Sequence, residues 1–127
     1  MRVWLYARLS NDDDREMNSL LNQREICQAF AEQHGYIIVG QSFDDNISGM
    51  SFDRRGLDEL TAAVDADMID AVIVKDLSRL GRHRTQTALF IDYLREHQVR
   101  VISATEGVDT FRDEDDLIIG VRGLMND

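Results

Sequence analysis

Two short segments of the chain combine a hydroxyl group with arginines. Arg8 and Ser10 end the run YARLS, and Arg79 and Arg82 lie in the run KDLSRLGR. A guanidinium presents a planar set of donors that can hold two phosphate oxygens at once. A serine hydroxyl can act as a nucleophile when a neighbouring group activates it. Together, these residue types indicate chemistry on a phosphate group.

The overall charge limits how such a site can bind its substrate. The 127 residues hold 24 acids and 14 bases, a formal charge of −10, which argues against bulk electrostatic binding to nucleic acid. Any phosphate site must therefore depend on a local cluster of basic side chains rather than on the overall charge. Thirteen of the bases are arginine and one is lysine, Lys75.

The remaining composition predicts one cytoplasmic domain spanning residues 1–127. No apolar run approaches the roughly 18 residues that a membrane span needs, so no membrane partner is expected. A single cysteine, Cys27, cannot form an internal disulfide, and the three histidines lack metal-site spacing. We expect neither a metal nor another cofactor.

Short apolar runs alternate with helical patterns along the chain. The runs predict strands at 3–7, 36–39, 71–74 and 99–102. Apolar residues at helical spacing predict helices at 17–33, at 57–68 behind an N-cap at Asp53, around 89–94, and at 117–125. This alternation predicts an α/β fold: a mostly parallel central sheet of about four to five strands with helices on both faces.

The arginine segments follow the first and third predicted strands. Functional sites in open parallel sheets gather at the carboxyl ends of the strands, so both segments should open on one edge. Gln23 lies in the apolar stripe of the first helix, and a buried amide needs hydrogen-bond partners. It either caps a neighbouring backbone group or reaches into the site formed by Arg8 and Ser10.

Four motifs in this order resemble the signature of the serine recombinases, the resolvase and invertase family. They are residues 6–10 (YARLS), 19–23 (SLLNQ), 45–49 (DNISG) followed by 53–56 (DRRG), and 77–82 (LSRLGR). The resemblance covers nearly the whole chain and implies a resolvase-like catalytic domain. It also implies a site-specific DNA recombinase that needs no metal or nucleotide.

The resemblance implies that Ser10 attacks a DNA phosphodiester, leaving a 5′-phosphoserine link and a free 3′ hydroxyl that are later rejoined after strand exchange. It implies a set of side chains around the phosphate: Arg8, Arg79, Arg82, Arg54 and Gln23. Fixed guanidiniums aimed at the developing negative charge agree with this chemistry. A serine hydroxyl usually needs a base, and no histidine lies in these motifs. Possible supporting residues are Tyr6, Asp70 and Asp76. The base is not identified: Asp70, Asp76 or an arginine acting through water are the candidates.

One position departs from the small resolvases. Many of them carry an aspartate before the first arginine of the third-strand motif, where this chain has Ser78. That variant looks more like the large serine recombinases of mobile elements. The helical pattern still runs at Met125, so we expect the chain to end within its last long helix, without the DNA-binding region.

In the family, the missing continuation of this helix builds the dimer. The resemblance therefore implies DNA as partner, a homodimer and tetramer in the full-length enzyme, and weak or altered association and no cleavage by the fragment.

Two other classes of protein fit part of the sequence. Asp12, Asp13 and Asp14 after the first strand, with Asp76 after the third, resemble the magnesium pocket of a phosphoacceptor receiver domain. Such receivers use a lysine after a late strand, whereas Lys75 lies beside Asp76. A solvated loop is the favoured interpretation of the three aspartates. A non-catalytic interaction module would treat Ser10 and the arginines as surface residues.

Overall fold

The computed structural model describes residues 1–10, 13–14, 17–46, 54–81 and 83–111. The strands are β1 (Arg2–Ser10), β2 (Ile37–Asn46), β3 (Ala71–Val74), β4 (Arg100–Ser103) and β5 (Val108–Asp109). The helices are α1 (Leu20–Gln33), α2 (Arg55–Asp65) and α3 (Arg84–Glu96), and a 3-10 turn (Leu77–Leu80) joins β3 to α3. No helix in these ranges is long and apolar enough to cross a membrane.

The five strands form one sheet in the order β2-β1-β3-β4-β5. All neighbours are parallel except β5, which runs antiparallel to β4. Cys27 and Ala31 of α1 pack on one face of the sheet, against Val3 and Leu5. Helices α2 and α3 pack on the other face, over a core that includes Val72. The predicted α/β sheet with helices on both faces is confirmed.

Helix α1 begins later than the sequence pattern indicates. The Ser19 side chain accepts a hydrogen bond from the Asn22 N–H at 3.0 Å, which makes Ser19 the N-cap of the helix. Met17, predicted as the first residue of this helix, lies before the cap and is 65% exposed. The predicted start was therefore wrong by three residues, because a side-chain cap determines where the helix begins.

The start of helix α2 is capped by a side chain of strand β2. The buried carboxylate of Asp44 in β2 accepts the Gly56 N–H at 2.7 Å and the Leu57 N–H at 3.0 Å. The predicted cap, Asp53, lies outside the described residues. The predicted end at Met68 was wrong: α2 ends at Asp65, and Asp67 takes a positive φ of 56°, which leaves the exposed Met68 outside the helix.

Strand β2 extends well beyond the predicted segment 36–39. It lies at the edge of the sheet, and its apolar start is exposed, with Ile37 64% accessible. Its buried residues are instead the polar Ser42, Asp44 and Asn46. In α3, the predicted core residue Leu89 is 65% exposed, whereas Ile91 is buried. The predicted helix at 117–125 lies outside the described residues.

Candidate active site

The site lies where β1 continues beyond its neighbour β3. Strand β1 pairs with β2 from Arg2 to Ser10 but with β3 only from Val3 to Leu5. The backbone of residues 6–10 therefore has no strand partner on its β3 side. Side chains replace the missing strand, and they supply much of the site.

Gln23 is one of these replacements. Its Oε1 accepts the Arg8 N–H at 3.2 Å, and its Nε2 donates to the Arg8 carbonyl at 2.9 Å and to the Asn18 carbonyl at 2.8 Å. The side chain is fully buried. The first interpretation of this amide is confirmed: it caps backbone groups. Through the peptide groups of Arg8, it fixes the strand that carries Arg8 and Ser10.

Arg79 of the 3-10 turn is the second replacement. It is 4% exposed, and its Nη1 donates to the Arg8 carbonyl at 2.8 Å and to Asp13 Oδ2 at 2.9 Å. Its Nε and Nη2 donate to Asp76 Oδ2 at 3.3 and 3.2 Å. Burial works to lower the pKa of Arg79, but Asp13 and Asp76 outweigh it, so that pKa lies above its ordinary value. The guanidinium is fixed in place and charged.

Arg8 is 8% exposed and reaches toward the same turn. Its Nη2 donates to the Ser78 carbonyl and, at 3.3 Å, to the Gly81 carbonyl. The structure thus brings Arg8, Ser10 and Arg79 to one edge of the sheet. Arg8 and Ser10 lie at the end of β1, which extends beyond its predicted end at residue 7, and Arg79 follows β3. Arg82 lies outside the described residues.

Asp13 was missed by the sequence interpretation. Its side chain is only 16% exposed, whereas the three consecutive aspartates were interpreted as a solvated loop. Its Oδ2 accepts the Ser10 Oγ–H at 3.2 Å and the Ser10 N–H at 2.9 Å, besides the Arg79 bond. Asp14 is exposed, and Asp12 lies outside the described residues. The sequence offered only a weak signal, an acid three residues after a candidate nucleophile, which does not tell Asp13 from its two neighbours.

Burial works to raise the pKa of Asp13, because it disfavours the carboxylate. The hydrogen bonds from Arg79 and the Ser10 backbone outweigh this effect, so the pKa lies below the ordinary 3.8. Asp13 is therefore ionised at neutral pH, with its carboxylate against the serine hydroxyl.

Asp76 supports Arg79 rather than Ser10. Its Oδ1 accepts the Ser78 N–H at 3.1 Å and the Ser78 hydroxyl, and its Oδ2 receives Arg79. It is the N-cap of the 3-10 turn. Both carboxylate oxygens are thus used to hold the turn that carries Arg79.

Asp70 lies at the other end of the sheet. It directly precedes β3, whose first residue pairs with Val3, about 26 Å along the sheet from Ser10 at roughly 3.3 Å per residue. Its carboxylate binds Arg2, whose hydrogen bonds lower the pKa of Asp70. The structure does not bring Asp70 to the site, because it begins its strand instead of following it.

A cavity of about 300 Å³ opens beside Arg8 and Arg79, between the end of β1, the start of α2 and α3. Its lining includes Arg8, Arg79, Tyr6, Asn46 and Arg54. The buried Tyr6 hydroxyl donates to Asp44 Oδ2 at 2.7 Å, so Tyr6 bonds the carboxylate that caps α2. Arg54 is exposed at the N-cap of α2. Arginines thus reach one cavity from two sides, the strand end and the helix start.

Lys75 does not occupy a receiver-like position. Its Nζ donates to the Met17 carbonyl at 2.6 Å and to the side chains of Asn18 at 2.7 Å and Asn22 at 3.2 Å. These bonds tie the segment before α1 to the end of β3. The lysine is therefore used structurally, in bonds to Met17, Asn18 and Asn22.

Comparison with known proteins agrees with this geometry. The family model of the resolvase N-terminal domain matches residues 3–127. The transposon Tn3 resolvase of Escherichia coli is 29% identical over 121 residues, which are 95% of this chain and 60% of that protein. A protein of the same description from Klebsiella pneumoniae matches equally. The chain spans about 60% of the length of these curated relatives.

Two solved structures share the fold over 99% of this chain. A resolvase family site-specific recombinase from Streptococcus pneumoniae has a TM-score of 0.80 at 28% identity, with 85% of that chain covered. The N-terminal catalytic domain of TP901-1 integrase has a TM-score of 0.80 at 24% identity, with 94% covered. None of these findings supports a receiver domain. The chain belongs to the resolvase family and carries its N-terminal domain.

Proposed function

We propose that this chain is the catalytic part of a site-specific DNA recombinase in which Ser10 attacks the DNA phosphodiester. In this step the Ser10 Oγ–P bond forms and the bond from phosphorus to the 3′ oxygen breaks. The products are a 5′-phosphoserine and a 3′ hydroxyl. Because the phosphoserine preserves the bond energy, strand exchange can be followed by rejoining without a nucleotide.

One observation carries this proposal: the Ser10 hydroxyl lies on the same strand end as two buried, fixed guanidiniums. Arg8 and Arg79 are 8% and 4% exposed and are held by carbonyls and carboxylates from three segments of the chain: β1, the loop with Asp13, and the 3-10 turn. Groups already oriented in a site of low dielectric stabilise developing charge without reorganising during the reaction. A phosphate in the adjoining cavity would face both guanidiniums.

The other proposed site residues have narrower roles. Gln23 and Asp76 position Arg8 and Arg79 through the hydrogen bonds described above. Arg54 contributes charge at the rim of the cavity. Arg82 is included because it lies in the motif at residues 77–82. Tyr6 supports the start of α2 through its hydrogen bond to Asp44.

We further propose DNA in the cytoplasm as the substrate and a homodimer that pairs into a tetramer on two sites. The motifs shared with the family support this assembly. Ser78, directly before Arg79, favours the large branch of the family. With a net charge of −10, DNA affinity must come from local sites or from other parts of the protein that carries this chain.

The proposal is tested by trapping the covalent intermediate. The protein that carries this chain is incubated with a pool of duplexes of randomised sequence, quenched in detergent and separated by gel electrophoresis. We expect a protein–DNA adduct whose phosphoserine maps by mass spectrometry to Ser10. Ser10→Ala should abolish it, whereas Ser78→Ala, which removes a nearby hydroxyl, should retain it. An adduct that persists in Ser10→Ala would remove Ser10 from the mechanism.

A further inference from the structure

The proposed nucleophile needs a group that takes its proton, because an unperturbed serine hydroxyl is a poor nucleophile. Of the aspartates considered from the sequence, Asp70 lies at the far end of the sheet, bound to Arg2. Asp76 Oδ1 accepts the Ser78 N–H at 3.1 Å, and its Oδ2 accepts Arg79 Nη2 at 3.2 Å. Neither is bonded to Ser10 in the described part of the chain.

Asp13 has the required geometry. Its Oδ2 lies 3.2 Å from the Ser10 Oγ, within the 2.6–3.2 Å reach that a general base needs. Two further bonds fix the relative position of the two residues: the Ser10 N–H to Asp13 Oδ2 at 2.9 Å, and the Asp13 N–H to the Ser10 carbonyl at 3.1 Å. The loop after β1 therefore folds back to place a carboxylate on the hydroxyl.

We propose that Asp13 is the general base that accepts the Ser10 proton when Ser10 attacks the phosphodiester; this inference rests on the proposed function. The O–H bond of Ser10 breaks and its proton moves to Asp13 Oδ2, while the Oγ–P bond forms. The bond to the 3′ oxygen breaks with its electron pair, and that oxygen takes a proton from solvent water. Asp13 later returns its proton to water.

Arg79 couples the base to the substrate. The same oxygen, Asp13 Oδ2, accepts both the serine hydroxyl and Arg79 Nη1 at 2.9 Å. Without a phosphate, this bond helps to keep the pKa of Asp13 below its ordinary value, which makes the carboxylate a weak base. A phosphate oxygen that takes over Nη1 removes that bond and raises the proton affinity of Asp13. Substrate binding thereby prepares the base.

The surroundings of Asp13 make its pH behaviour simple to interpret. From β1 it is faced by the hydroxyl and N–H of Ser10, and from the 3-10 turn by the guanidinium of Arg79, with Asp76 behind that guanidinium. None of the described groups bonded to Asp13 is a histidine. Arg79 stays charged throughout the accessible pH range.

The test is the pH dependence of single-turnover cleavage by the protein that carries this chain, on the duplex selected in the adduct experiment. Wild type should cleave at a nearly constant rate from about neutral pH upward, because Asp13 is ionised there and accepts the proton. Asp13→Asn keeps the shape of the side chain but cannot take the proton. We expect its rate to be about 10²–10⁴-fold lower at neutral pH and to rise about tenfold per pH unit, as hydroxide replaces the base.

Asp14→Asn is the matched control, since it makes the same charge change at an exposed neighbour. It should keep the wild-type rate and profile. Circular dichroism at each pH measures the folded fraction of Asp13→Asn. Dividing the rate by that fraction separates the slope of the profile from any loss of stability.

Three results would overturn the inference: a wild-type rate in Asp13→Asn, a reduced rate that is flat with pH, or no cleavage at any pH. A flat reduction would show that Asp13 only positions Arg79. In each case a Ser10 adduct in wild type would leave the proposed function standing. An adduct on another residue, or none, would instead refute the proposed function itself.

Discussion

Replacing Gln23 by leucine should destabilise the fold through the backbone of Arg8. The substitution keeps the side-chain volume similar but removes three hydrogen bonds from a fully buried position. The Arg8 carbonyl keeps its bond from Arg79 at 2.8 Å, so two groups lose the partner that Gln23 supplies: the Arg8 N–H and the Asn18 carbonyl. The cost therefore comes from two unsatisfied backbone groups.

Each unsatisfied buried group costs about 1–3 kcal/mol, which sums to about 2–6 kcal/mol. Burying a leucine side chain offsets about 1.5–3 kcal/mol of this. Matching low with low and high with high, we expect a net loss of about 0.5–3 kcal/mol from the free energy of unfolding, against the roughly 5–15 kcal/mol typical of a domain. The loss should appear as a lower urea midpoint with an unchanged m-value.

The assay is urea denaturation of the 127-residue chain, with Gln33→Leu as the control, because Gln33 is an exposed glutamine in the last turn of the same helix. Hydrogen exchange adds a local readout, since the Arg8 amide should lose protection in Gln23→Leu only. If both leucine variants had the same midpoint, or if the Arg8 amide stayed protected, Gln23 would not be the residue that satisfies this strand.

Four further outcomes are expected. Arg79→Lys should lose about 10²–10³-fold in single-turnover cleavage, because an ammonium cannot reproduce the planar fork; a rate near wild type would show that charge alone suffices. DNA cleavage should survive chelation of divalent ions by EDTA. A loss of cleavage in EDTA that added magnesium reverses would favour a metal mechanism. Because the pKa of folded Asp13 lies below 3.8, its stabilising effect is present above that pH and is lost on further acidification; acid denaturation should flatten in Asp13→Asn. Gly56→Ala should cost about 1–3 kcal/mol in urea denaturation, since its Cβ would lie 2.4 Å from the Phe43 carbonyl oxygen.

The fold was predictable where burial follows apolar pattern. Strand β3 matches its predicted bounds, because its four residues are all buried apolar side chains. Strand β2 was only partly predictable, since its buried half is polar. Ser42 bonds the Trp4 indole at 2.9 Å and the Gly56 carbonyl at 2.7 Å, so long-range hydrogen bonds rather than hydrophobicity stabilise it there.

The site was predictable where strand ends determine position. Arg8, Ser10 and Arg79 meet because Arg8 and Ser10 end β1 and Arg79 follows the parallel strand β3. The same rule argues against Asp70, which precedes its strand. Asp13 required information that local sequence lacks, because a partner 66 residues away decides whether its carboxylate is solvated or bound.

The charges of the described site explain how a chain of net charge −10 can act on an anion. Without DNA, the guanidinium of Arg79 is paired with the carboxylates of Asp13 and Asp76, and that of Arg8 is held by the Ser78 and Gly81 carbonyls. A bound phosphodiester adds one negative charge, and attack by a serine oxyanion would add a second. If the serine proton moves to Asp13, that carboxylate is neutralised while charge develops on the phosphate. The total charge of the site then stays constant during attack, and negative charge is transferred from the loop to oxygens that face fixed guanidiniums. On this proposal general-base catalysis and electrostatic stabilisation are one event, because Arg79, which bonds Asp13 in the absence of DNA, would then face the phosphate.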